Sequence, residues 1–153
     1  MTLDGNLDVE GNLTTTSYPT LVDGGFNINI AGTTVDIRKY TPSVNTTMTF
    51  DGADQRIYNA KEGTTVFNLR NVVFAGTGTK SLYYDGDDYY AVSGNLTINS
   101  GVTVYIPRRL DYSGANWTNN GIFNHTAYVI NFTGTSAQQI DPGVNNDFYA
   151  VAF

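Results

Sequence analysis

The chain has no cysteine and a single histidine. Without cysteine there is no disulfide framework, no thiolate zinc site and no cysteine nucleophile. The lone His125, in Asn124-His125-Thr126, has no second histidine with which to build a transition-metal site, and it reads as a loop residue. Charge is scarce too. Asp, Glu, Lys and Arg make up 14% of the 153 residues, against about a quarter in ordinary soluble domains. Helix surfaces normally carry Glu, Lys and Arg, so this scarcity argues against helices. The net charge of −6 argues against nucleic acid or an anionic membrane as the main partner, and Arg108-Arg109 is too small a basic pair to leave an electrostatic footprint. No apolar run approaches the length of a membrane-spanning helix, so no membrane insertion is expected, and no secretion signal is recognisable.

Thr, Asn, Gly and aromatic residues fill the gap. In Val92–Ile106, Leu96 and Ile98 alternate with Thr97, Asn99-Ser100-Gly101 breaks the run, and Val102, Val104 and Ile106 alternate with Thr103 and Tyr105. This is two half-buried strands joined by a tight corner. The same unit recurs as Leu7 and Val9 before Leu13, as Phe26, Ile28 and Ile30 before Val35 and Ile37, and as Met48 and Phe50 before Gln55-Arg56-Ile57. Val66–Phe74 reads as one continuing run, Phe148–Phe153 as a terminal strand, and Arg38–Asn45, with Pro42, as a loop. No span carries a capped 3.6-residue period, and the chain reads as all-β.

An internal repeat sharpens the architecture. Phe50-Asp-Gly52-Ala-Asp-Gln55-Arg-Ile57 returns, with one insertion, as Phe132-Thr-Gly134-Thr-Ser-Ala-Gln138-Gln-Ile140, and Gly5-Asn-Leu-Asp-Val9 returns as Gly94-Asn-Leu-Thr-Ile98. The imperfect copies run over 3–74 and 92–153, linked by the Tyr-rich 75–91. At roughly 20–25 residues per rung each copy holds three to four rungs, so a single β-solenoid segment of about six or seven parallel rungs is expected over 1–153. Met1 leads at once into strand-like residues and the last residues are apolar, which suggests a segment of a longer protein with neighbouring segments of the same chain as partners.

The motif F-x-G-x-x-(x)-Q-x-I, an aromatic strand about ten residues on, and G-N-L-T-I-N-S-G-V-T-V resemble repeats of giant secreted surface proteins of Bacteroidota, among them the gliding-motility adhesin type exported by type IX secretion. The similarity covers most of 47–153 and more loosely 3–37. It implies a right-handed parallel β-helix, an extracellular position at the cell surface, a structural role in adhesion or motility, and the type IX secretion and outer-membrane attachment machinery as partners.

Candidate sites are few. Tyr83, Tyr84, Tyr89 and Tyr90, with Tyr105 and Trp117, would form an aromatic adhesion surface for a glycan or protein ligand; without a ligand they are a stacked ladder on a solenoid face. Asp85, Asp87 and Asp88 offer oxygen ligands to Ca²⁺, but lack EF-hand spacing and the tandem nonapeptides of calcium β-rolls, and otherwise read as an acidic surface loop. No cofactor is therefore expected. Asp4, Asp23, Asp51 and Asp141 read as turn formers. Lys80, Arg108 and Arg109 would neutralise an acidic sugar, yet no partnering motif accompanies them. No catalytic constellation stands out, so a non-enzymatic role is expected, with a carbohydrate-binding module or β-helical polysaccharide-active enzyme as the alternative.

Overall fold

Strands of two to seven residues, rich in β-branched and aromatic side chains, follow one another at corners made by Asn, Gly and Thr. The computed structural model describes residues 1–15, 20–59, 66–84, 89–144 and 146–153. Among them the strands fall into triplets. The first is β1 (Leu7–Val9), β2 (Leu13–Thr14) and β3 (Leu21–Val22), and the second β4 (Ile28–Ile30), β5 (Thr34–Asp36) and β6 (Tyr40–Thr41). Then come β7 (Thr47–Phe50), β8 (Gln55–Asn59) and β9 (Val66–Leu69), followed by β10 (Asn71–Phe74), β11 (Gly78–Tyr84) and β12 (Tyr89–Val92). The fifth is β13 (Leu96–Ile98), β14 (Val102–Ile106) and β15 (Leu110–Tyr112), and the sixth β16 (Asn116–Asn119), β17 (Ile122–His125) and β18 (Ile130–Phe132). The last is β19 (Gln139–Asp141), β20 (Asn146–Phe148) and β21 (Val151–Ala152).

Apart from β6 and β9, corresponding strands of successive triplets pair side by side, and every such pairing is parallel. The first strands form one seven-stranded wall, the second strands another, and the third strands a five-stranded sheet from β9 to β21 plus the pair β3–β6. The chain is thus a β-solenoid of about six turns, as the alternation and repeat predict. No described residue is helical. Partners one turn apart are separated by 19 residues at Val104 and Phe123 and by 25 at Ile57 and Leu82. That variation is absorbed in the corners.

Inward residues stack into continuous apolar columns. Ile28, Met48, Val72, Leu96 and Trp117 form one, and Val35, Ile57, Leu82 and Ile106 another. Leu96, Ile98, Val102 and Val104 are all inside, with Gly101 at φ 82° making the corner between β13 and β14. At that φ a side chain on residue 101 would be strained. Outside the first wall runs an asparagine ladder. Asn6 Oδ1 accepts from Asn27 N, Asn27 Oδ1 from Thr47 N, and Asn71 Oδ1 from Asn95 N, while Asn116 Nδ2 donates to Asn95 Oδ1. Each of these bonds ties a side chain of one rung to a group of the next.

The structure corrects the sequence reading at several places. Val66–Phe74 is not one strand: it bends at Arg70, so that Phe67 and Leu69 face inward from the third wall while Val72 and Phe74 do so from the first. No Gly or Pro marks this corner. Arg70 braces it instead, donating to Val44 O and to Ser93 Oγ and O. The supposed loop Arg38–Asn45 contains β6, and Phe148–Phe153 divides between β20 and β21. Of the Tyr-rich 75–91, the described residues include β11 and the start of β12, strands paired on both sides, so these residues are part of the solenoid.

The two copies of the Phe-Gly-Gln motif sit at different corners. Gln55 follows β7 at the turn onto the second wall, and its Nε2 donates to Ile30 O and Gly32 O of the rung below. Gln138 follows β18 at the turn onto the first wall, and its Nε2 donates to Tyr112 O and Gly114 O. The bonds are the same although β18 lies three turns and two sides beyond β7. Here the rungs approach so closely that a Cβ at Gly32 or Gly114 would overlap the backbone carbonyl of Gly11 or Gly94. At the corner above Gln55 the plug is Lys80, whose buried Nζ donates to Gly52 O, Ala53 O and Thr77 O. Burial lowers its pKa to about 8, against the pull of Asp54 and Asp51.

Two buried titratable groups give the fold a defined acid response. Burial alone would raise the Asp23 pKa, but donors from Ser43, Gly25 and Tyr40 outweigh it and hold the carboxyl at about 2, below its ordinary 3.8. His125 is no loop residue: it lies buried in β17, its Nε2 donating to Arg108 O, and burial lowers its pKa below 6.5. Both folded pKa values are depressed, so in both cases the unfolded chain takes up its proton first as pH falls. Stability therefore declines first below pH 6.5 and again between about 3.8 and 2, the Asp23 step being about 2 kcal/mol. Urea titrations from pH 8 to 3 check this, and an unchanged midpoint through pH 6 in both wild type and His125→Gln would contradict the histidine step.

Candidate functional site

With the core filled, what distinguishes one part of the outer surface from another is which long side chains the strand alternation turns outward. On the second wall, Ile57 and Leu82 point in, so Arg56, Tyr58 and Tyr83 point out. Tyr58 and Tyr83 lie on successive rungs with ring centroids 5.6 Å apart and planes 24° apart. The Arg56 guanidinium lies 5.1 Å from the Tyr58 centroid and 4.8 Å from that of Tyr83. Two rings thus fix one exposed cation, and this cation–π geometry restricts its rotamers. Beside it opens a trough of about 490 Å³ lined by Thr33, Thr34, Asp54, Arg56, Thr79 and Ser81. Two other hollows, lined in part by Gln139, Ile140 and Asp141 and by Gly143 and Val144, lie at the open edge of the last rung.

The structure divides the six aromatic residues expected at one surface. Tyr83 and Tyr105 are half-buried on the outside of the second wall, and Thr126 Oγ1 donates to Tyr105 Oη at 3.4 Å. Tyr89 is on the outside of the third wall. Tyr90 and Trp117 are core residues, each 1% exposed, and offer no surface. Tyr90 alternates inward from Tyr89, and its one hydroxyl proton is shared between Tyr83 O at 2.9 Å and Ile57 O at 3.1 Å. Trp117 takes the inward place above Leu96. The side chain of Tyr84 and the residues Asp85, Asp87 and Asp88, the suggested Ca²⁺ ligands, lie outside the described residues. Among the described residues no group of three His, Cys, Asp or Glu side chains could hold a metal ion.

The basic residues are spoken for in different ways. Lys80 is wholly buried and cannot reach a ligand. Arg109 makes a two-pronged pair with Asp111, at 2.7 and 2.6 Å, and lies 4.2 Å from the Tyr89 centroid. Asp111 also accepts from Asn131 Nδ2. Arg108 covers the Tyr128 ring at 5.2 Å, and Tyr128 is in the left-handed region at φ 70°. The turn-forming reading of the aspartates holds at Asp23 and Asp141, which accept from Gly25 N and Gly143 N.

Arg56 and Tyr58 were missed from sequence. The signal was there: Gln55-Arg-Ile-Tyr58 aligns without a gap on Lys80-Ser-Leu-Tyr83, one turn later. The chain matches no protein-family model, no curated protein and no solved structure.

Proposed function

We propose that this chain is a structural and adhesive segment of a long secreted or cell-surface bacterial protein, projecting an extended surface that makes contact through its second wall. The observation that carries the reading is the contrast between the first two walls. The first turns short side chains outward, mostly Thr and Asn with Asp8 and Val73 among them, and its asparagines bond from rung to rung; the second turns out Tyr58, Tyr83 and Tyr105 with a fixed Arg56. Aromatic and arginine side chains are those enriched in protein contact surfaces. A parallel stack suits projection, since each added rung lengthens the body by about 4.8 Å without changing its cross-section. Placement outside the cell, export by type IX secretion and a part in gliding motility belong to the same proposal and rest on the motif resemblance alone.

Beads coated with the chain are expected to be retained under flow on glycan- or protein-coated glass on which albumin-coated beads roll off. Arg56→Ala is expected to cut retention several-fold while leaving the circular dichroism spectrum unchanged. Retention no better than that of albumin beads on every surface, or hydrolysis of a glycan by the chain, would overturn the proposal.

A further inference from the structure

We infer that the trough on the second wall binds an uncharged, hydroxyl-rich polymer, a neutral glycan chain, laid along the stack across β5, β8 and β11. The inference rests on the adhesive reading and names the ligand class of the same surface. Thr34, Arg56 and Ser81 are register partners on three consecutive rungs, so hydroxyl, guanidinium and hydroxyl follow one another along the solenoid axis. At a strand spacing of about 4.8 Å this line is about 10 Å long.

Its chemistry is balanced between donors and acceptors. Arg56 brings five N–H donors, is exposed, and among the described residues forms no bridge to a carboxylate. Asp54 lies alongside, with Oδ1 accepting from Thr79 N at 2.7 Å and Oδ2 left as an acceptor. The hydroxyls of Thr34 and Ser81 donate or accept as needed. A sugar hydroxyl does both, and a pair of neighbouring hydroxyls fits a carboxylate beside a guanidinium. The guanidinium is already held by the two tyrosine rings, so little side-chain freedom is lost on binding.

Charge and backbone pairing discriminate against other polymers. The lining carries one cation, Arg56, and one anion, Asp54, and the chain as a whole carries −6. A polyanion would be repelled by Asp54 and by the negative charge of the chain; a neutral polymer is repelled by neither. An extended peptide binds a sheet by adding a strand at its edge, but β5, β8 and β11 are mid-wall strands paired on both sides and offer no edge.

Affinity gel electrophoresis of the full chain in hydroxyethylcellulose, dextran and polygalacturonate tests this. At least one neutral polymer is expected to retard the wild type, Arg56→Ala to weaken that retardation about tenfold, and Ser81→Lys to do likewise by filling the trough. Thr118→Ala, on the first wall, is expected to leave it unchanged, with circular dichroism spectra intact throughout. Retardation by polygalacturonate alone, equal retardation of the trough variants, or none at all would each overturn the inference. If the beads described above are still retained in such a case, the adhesive reading survives and only the ligand class falls.

Discussion

Trp117→Ala is expected to lower the stability of the chain by about 3–5 kcal/mol, the range for emptying a buried large aromatic site. Trp117 is 1% exposed and is the hub of the aromatic core at the later turns. Its ring centroid lies 5.0 Å from Phe123, 5.3 Å from Tyr112, 5.9 Å from Phe148 and 6.1 Å from Phe132, so three walls and three successive rungs meet on it. Edge-on packing against Tyr112, Phe123 and Phe148 adds to the area it buries. The surrounding backbone is held by parallel pairing above and below, so the cavity left by alanine cannot readily collapse. Urea unfolding followed by far-ultraviolet circular dichroism measures the loss. A loss below about 1 kcal/mol would mean that the aromatic cluster is loosely packed.

Lys80→Leu is expected to cost a similar amount, about 3–5 kcal/mol, for a different reason. The leucine fills much of the space but donates nothing. Gly52 O would then be buried, and Ala53 O and Thr77 O partly buried, with no donor in place of Nζ, and the largest desolvation penalty falls on Gly52 O. Lys80→Gln separates this from simple loss of volume or charge. Gln55 plugs the preceding corner with a neutral amide that serves two carbonyls, so glutamine at 80 is expected to recover about half of the loss. Denaturant midpoints of the three proteins at pH 7 decide the matter. If leucine proves no worse than glutamine, the corner carbonyls are satisfied in some other way and the plug has no energetic role.

Much of the fold could be read from alternation and corner residues. β13, its Asn-Ser-Gly corner and β14 lie where Leu96–Ile106 placed them, and Gly5-Asn-Leu and Gly94-Asn-Leu occupy the same wall, with β13 four turns beyond β1. The corner at Arg70 was not legible, because the residue that holds it does so by reaching to Val44 and Ser93, far away in sequence. The site was less legible still. Which of two adjacent tyrosines faces outward depends on the register with the rung below, and that register is reset at each corner by connectors of unequal length. Tyr89 and Tyr90 could not be told apart by composition, and Trp117 looked like a surface anchor until its place above Leu96 was known. His125 looked solvated for the same reason: its inward position follows from pairing with Ile106.

The Phe-Gly-Gln corner, used once before the second wall and once before the first, makes the side rather than the turn the modular unit of this body. A chain that grows or shrinks by three sides keeps every later residue facing its original direction. One that changes by a single side swings everything beyond the change through a third of a circle about the long axis. The core need not object, since the same glutamine closes either corner. Length and facing direction can therefore be altered separately, and the tyrosine strip of one stretch can be set in line with that of another, or turned away from it, by the addition of a few residues.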